Sequence, residues 1–161
     1  MGCGKSTLGR KLATDMGLQV IDMDSYIEER NYKTVPQIFA EEGEEVFRKK
    51  ERKALKELTE FTDVVIATGG GAPCFFDNME VMNKTGVTIF LNVDPDILAD
   101  RLINSKTERP LIKGKSREEL VSFIDGSLEK RRAFYSQAAI QIAEPDVDTQ
   151  SLEEEIRRVG K

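Results

Sequence analysis

The sequence has no histidine and only two cysteines in 161 residues. Without histidine there can be no Ser-His or Cys-His nucleophilic pair, and most zinc sites are excluded. Any general base must be Asp, Glu or Lys. Cys3 and Cys74 form no CxxC pair. They suggest no disulfide framework, so a reducing cytoplasm is expected. No apolar run approaches the roughly 18 residues that span a membrane. No apolar segment opens the chain, so no signal peptide is expected. The net charge is −5, and no basic stripe with interleaved aromatics is present. That argues against general nucleic-acid binding. Phosphoryl transfer survives these exclusions, because it depends mainly on positioning and charge neutralisation.

With 39% hydrophobic and 33% charged residues, the chain has the composition of one rather polar globular domain, spanning 1–161. Its most informative stretch comes first: Met1-Gly2-Cys3-Gly4-Lys5-Ser6-Thr7. Gly4-Lys5-Ser6 matches the end of the phosphate-loop pattern Gly-x-x-x-x-Gly-Lys-Ser/Thr. Gly2 and Gly4 let backbone amides approach phosphate oxygens, and a helix N-terminus favours anions. Lys5 would reach the β- and γ-phosphates, and the Ser6 hydroxyl would ligate Mg²⁺. A flexible glycine-rich terminus is the bland alternative.

Apolar periodicity predicts a helix over 6–16 capped by Gly17, and a short strand over 18–21 that ends in Asp22-Met23-Asp24. Two carboxylates at a strand's C-terminal edge lie where parallel sheets bind ligands. Alternate residues of extended chain share a side, so Asp22 and Asp24 can face one site. Equally, they can be turn or capping residues, with Asp24 capping a helix over 25–29. Helices are expected over 34–42 and 44–60, and Arg48 is suited to grip a carboxylate unless it is simply solvated. A buried-type strand over 63–68 ends in Gly69-Gly70-Gly71, which admits a ligand or another backbone. A helix over 78–84 with Gly86 as its cap, a strand over 87–93 and a helix over 96–104 follow. The polar stretch 105–117 reads either as a mobile lid or as an ordinary charged connection. A long helix over 116–135, a strand over 138–143 and a helix over 151–159 close the chain. This alternation implies an α/β fold with a parallel sheet covered on both faces.

These pieces together resemble the shikimate kinase family of P-loop kinases. The resemblance rests on Asp22-x-Asp24, Phe39-x-x-x-Gly43-Glu44-x-x-Phe47-Arg48-x-x-Glu51, Gly69-Gly70-Gly71 and Arg109-Pro110-Leu111, in that order. It implies a three-layer fold with strand order 2-3-1-4-5, and ATP-dependent phosphorylation of the shikimate 3-hydroxyl with Mg²⁺. In that family Gly2, Cys3, Gly4, Lys5, Ser6 and Thr7 would hold ATP, and Ser6 and Asp22 the metal. Asp24 would bind the shikimate hydroxyls and act as general base. Arg48 and Arg131 would hold the carboxylate, Gly69, Gly70 and Gly71 would contact substrate, and Phe39 and Phe47 would line the pocket. Glu51 would orient arginine. Lys5 and the lid's Arg109 would act on the phosphates, and an adenine-side contact falls loosely at Gln150. A monomer that binds neither nucleic acid nor membrane is implied.

Three features depart from the family pattern. The strand before the phosphate loop and the loop's first glycine do not precede Met1, which leaves an expected gap between strands 3 and 4. A start codon assigned too far downstream would account for this. Cys3 stands where Ala, Ser or Thr is usual, and Arg132-Ala133 where a proline commonly follows the substrate arginine. Two other functions are weighed: a kinase for another polyol acid such as gluconate, and an inactive kinase remnant.

Overall fold

The computed structural model describes residues 2–105, 112–143 and 147–160. The first helix, α1 (Lys5–Met16), starts at Gly4 and stops at Gly17, both in the left-handed region at φ 88° and 68°. Beyond Gly17, β1 (Gln19–Asp22) leads into α2 (Met23–Asn31) and α3 (Val35–Leu58), then returns as β2 (Val64–Ala67). A short 3-10 helix (Ala72–Cys74) and α4 (Asn78–Thr85) follow. The second half runs β3 (Ile89–Leu91), α5 (Pro95–Ile103), α6 (Arg117–Tyr135), β4 (Ile140–Ile142) and α7 (Thr149–Val159).

The strands pair as two parallel couples. β1 lies on β2 with Gln19 opposite Val64 and Asp22 opposite Ala67. β3 lies on β4 with Ile89 opposite Ile140. Parallel partners need a crossover, and helices supply both. The couples are the 2-3 and 4-5 parts of the expected order. Among the described residues no hydrogen-bonded strand joins β2 to β3. Helix α1 connects them instead: Leu8, Leu12 and Met16 share an apolar cluster with Val65 of β2 and with Ile89, Leu91, Ile140 and Ile142. A second cluster sits under α2 and α3, built on Met23, Ile27, Ile38, Phe47, Leu55 and Leu58. A third lies between α5 and α6, built on Leu98, Leu102, Leu120 and Ile124.

Several expected boundaries move. Helix α2 begins at Met23, and the residue that caps it is Asp22, whose carboxylate accepts the Ser25 amide at 3.1 Å. Asp24 is therefore in the first helical turn. It is not an alternate residue of extended chain, and it does not cap a later helix. The two helices expected around Gly43 run on as α3, with a break at Gly43 itself (φ 83°, ψ 169°). Gly86 follows α4 in extended backbone, not in a left-handed cap. Arg117 opens α6 and pairs with Asp96 at 3.0 Å and Asp100 at 2.8 Å on α5. Lid residues 106–111, with Arg109, fall outside the described residues.

Candidate active site

At the phosphate loop, Gly2 and Gly4 both adopt positive φ, 65° and 88°. That conformation turns successive amides toward one side, which makes a concavity for anions. A Cβ at Gly2 would also press on Leu102 at 3.3 Å. Helix α1 carries no side-chain cap and no acidic residue in its first turn. Its first amides are thus left for an external acceptor. Lys5 and Thr7 are exposed, while Cys3 and Ser6 are half-buried. Arg101 of α5 braces the loop by donating to the Gly2 carbonyl at 3.3 Å.

Asp22 ends β1 and Asp24 follows it on α2, on the side facing Lys5. Burial pushes the Asp24 carboxyl above the usual aspartate range, Asp22 and Glu28 add to the rise, and Lys5 and Arg48 oppose it. A raised carboxyl is a stronger base. Asp22 commits Oδ1 to the Ser25 amide, which leaves its second oxygen for another partner.

The three consecutive glycines meet these side chains one by one. A Cβ on Gly69 would lie 3.1 Å from Asp24 Oδ1 and 3.4 Å from Glu51 Oε1. On Gly70 it would lie 3.1 Å from Arg131 Nη1 and 3.4 Å from the Tyr135 hydroxyl. On Gly71 it would lie 2.6 and 2.7 Å from the two terminal nitrogens of Arg48. None of the three has positive φ. What matters at all three is the missing Cβ: a charged group sits tightly against Gly69 and Gly70, and at Gly71 the Arg48 guanidinium occupies the space a Cβ would need.

Arg48 is held from all sides. Its Nη1 donates to Glu51 at 2.9 Å, and Nε and Nη2 donate to Glu44 at 3.3 and 3.1 Å. The Phe75, Phe47 and Phe39 ring centroids lie 4.1, 5.2 and 5.9 Å from its guanidinium carbon. Glu51 is only 1% exposed. Burial raises its carboxyl, Arg48 and Arg131 pull it back down, and Asp24 adds to the rise. Phe39 and Phe47 stack at 4.5 Å between centroids. Burial also raises the Cys74 thiol, which keeps it protonated and inert.

The structure therefore brings together Asp24, Arg48, Glu51, Arg131, the three glycines and both phenylalanines, with Lys5 near Asp24. Gln150 lies exposed in the first turn of α7, where its amide is taken by Asp148. Three residues at the site were not anticipated: Arg101, Phe75 and Tyr135. The Tyr135 signal was present in the sequence. Leu120, Ile124, Leu128, Arg131 and Tyr135 follow one another at three- and four-residue intervals, a single helical face. Its first three members pack into the core between α5 and α6.

A glycine loop opening a helix, acidic residues at a parallel strand's end and two arginines converging on a glycine run beyond them define a P-loop kinase of small molecules. The family model described as shikimate kinase matches residues 1–159. The shikimate kinase of Bacteroides fragilis is 51% identical over all of this chain and 90% of its own length. That of Parabacteroides distasonis is 58% identical over 87% of this chain and 81% of its own. The crystal structure of shikimate kinase from Bacteroides thetaiotaomicron superposes with a TM-score of 0.86 at 50% identity, covering 99% of this chain and 91% of that one. The Acinetobacter baumannii enzyme, solved in complex with shikimate, gives 0.80 at 32% identity, covering 99% and 87%. The chain belongs to the shikimate kinase family.

Proposed function

We propose that this chain transfers the γ-phosphoryl group of ATP to the 3-hydroxyl of shikimate, yielding shikimate 3-phosphate and ADP on the route to chorismate and the aromatic amino acids. The observation that carries this reading is the convergence of Arg48 and Arg131 on the triple glycine, opposite Asp24. Two guanidiniums suit a planar carboxylate. The half-buried carboxyl of Asp24 lies opposite them, ready to accept a hydroxyl proton. Phe39 and Phe47 give the pocket a dry wall, and Glu51 fixes the angle of Arg48.

At the other end, Gly2, Cys3, Gly4, Lys5, Ser6 and Thr7 cradle the ATP phosphates, with Lys5 and the lid's Arg109 neutralising the transferring charge. The donor set fits Mg²⁺: the Ser6 hydroxyl and the uncommitted oxygen of Asp22 are hard ligands. No cluster of three or more carboxylates or thiols exists among the described residues. Such a sparse set leaves positions for water and phosphate, as Mg²⁺ prefers. When bound, the ion would offset negative charge on the β- and γ-phosphates. Among the described residues no helix is long and apolar enough to cross a membrane. A cytoplasmic monomer of one domain, with residues 105–117 as its lid, completes the reading.

The test is ADP release with purified protein, ATP and Mg²⁺, with shikimate and gluconate offered separately. Turnover with shikimate alone is expected. Turnover with gluconate in its place, or with neither acid, would overturn the assignment.

A further inference from the structure

Helix α6 ends at Tyr135, one turn beyond Arg131. Its hydroxyl donates to the Gly70 carbonyl and accepts from Arg131 Nη1 at 3.4 Å. A hydroxyl has one proton and two lone pairs. A carbonyl can only accept, so the bond to Gly70 commits the proton and turns the lone pairs toward the guanidinium. Burial pushes the phenol above its ordinary range, so it stays protonated, although Arg131 pulls the other way. The ring itself is held separately, against Phe90 of β3 at 4.8 Å between centroids. Among the described residues Arg131 forms no ion pair with a carboxylate comparable to that of Arg48 with Glu51; its hydrogen-bond partner is the phenol, while Glu51 feels its charge without a hydrogen bond.

We propose that Tyr135 is a positioning residue: it fixes the Arg131 guanidinium against the Gly70 peptide and so sets the affinity for the substrate carboxylate. The proposal rests on the reading that Arg131 binds that carboxylate. A neutral partner is what this position requires. A carboxylate here would compete with the substrate for Arg131, whereas a phenol orients the cation without tying it up in an ion pair. Arg48, by contrast, is oriented by carboxylates and its charge is partly answered before substrate arrives. The two arginines thus divide the work, Arg48 giving a rigid wall held by carboxylates and Arg131 a guanidinium without a carboxylate hydrogen bond.

Tyr135→Phe keeps the ring contact and deletes only the hydroxyl. Steady-state kinetics on this variant, on Arg131→Ala and on the double variant separate the possibilities. Expected for Tyr135→Phe is a KM for shikimate raised by about five- to tenfold, the loss of one ordinary hydrogen bond, with kcat, the KM for ATP and Tm little changed. Arg131→Ala should raise the same KM further, and adding Tyr135→Phe to it should do nothing more, since both act through one guanidinium. If Arg131→Ala leaves the KM for shikimate unchanged, the carboxylate reading itself fails. If Arg131→Ala raises it and Tyr135→Phe does not, the tyrosine proposal alone fails. An equal rise for both substrates with a lowered Tm, or the same rise with and without Arg131, would also overturn it.

Discussion

Gly71 carries no conformational burden that another residue could not bear: its φ is −82° and its ψ −22°, ordinary helical backbone. What it lacks is a Cβ, and the guanidinium of Arg48 lies in the vacated space, 2.6 Å from where that atom would be. Arg48 cannot simply swing aside, because Glu51 on the core side and the Phe75 ring hold it. Gly71→Ala should therefore displace the guanidinium from a carboxylate it would otherwise grip. Losing a charge-assisted hydrogen bond of about 1.5–3 kcal/mol corresponds to a roughly 10- to 100-fold higher KM for shikimate. The KM for ATP should not move, since the phosphate loop is on a different element. Steady-state kinetics with each substrate varied in turn checks this. A KM for shikimate that stays at the wild-type value would mean that Arg48 is freer than its contacts indicate.

Elements were more legible than their edges. Helix α1 was marked by its apolar spacing and Gly17, and α6 was expected over 116–135; in the structure a Thr34-to-Gln37 capping box starts α3 and a Ser116-to-Glu119 box starts α6. The start of α2 was not decidable locally, because Asp22 and Asp24 are both competent caps. Pairing of Asp22 with Ala67 extends β1 to that residue and makes it the cap. The 3-10 helix at Ala72 has three residues and no periodicity to read. Phe75 and Tyr135 reach the site through contacts between distant parts of the chain, which a linear reading does not weigh. The break at Gly43 was legible as two helices, and its backbone explains why. The pair φ 83°, ψ 169° is accessible essentially to glycine alone. Nothing lies within 4 Å of a Cβ built there, so a substitution meets strain and no clash. Gly43→Ala should lower stability by about 1–3 kcal/mol. Urea unfolding checks this: the midpoint should fall at an unchanged slope, and an unmoved midpoint would show that α3 can straighten through the break without penalty.

At the scale of the molecule, the proposed substrate site lies between two of the three apolar clusters. Asp24, Arg48 and Glu51 stand on α2 and α3, whose core is built on Met23, Ile38 and Phe47. Arg131 belongs to α6, whose buried residues Leu120 and Ile124 pack with α5. Helix α6, 19 residues long and so about 28 Å from end to end, carries its last turns across to the triple glycine. A substrate carboxylate gripped by both Arg48 and Arg131 would clamp these two clusters together. Binding should then slow amide hydrogen exchange in two places at once: around Gly69, Gly70 and Gly71, and in the last two turns of α6. A ligand that favours the docked arrangement raises the free energy of local opening on both sides of the contact. Arg131→Ala, measured at an equal fractional saturation with shikimate, should keep the slowing at the glycines and lose it in α6. Retained slowing in α6 of that variant would show that α6 is clamped by something other than Arg131. No slowing there in the wild type would place the carboxylate on Arg48 alone.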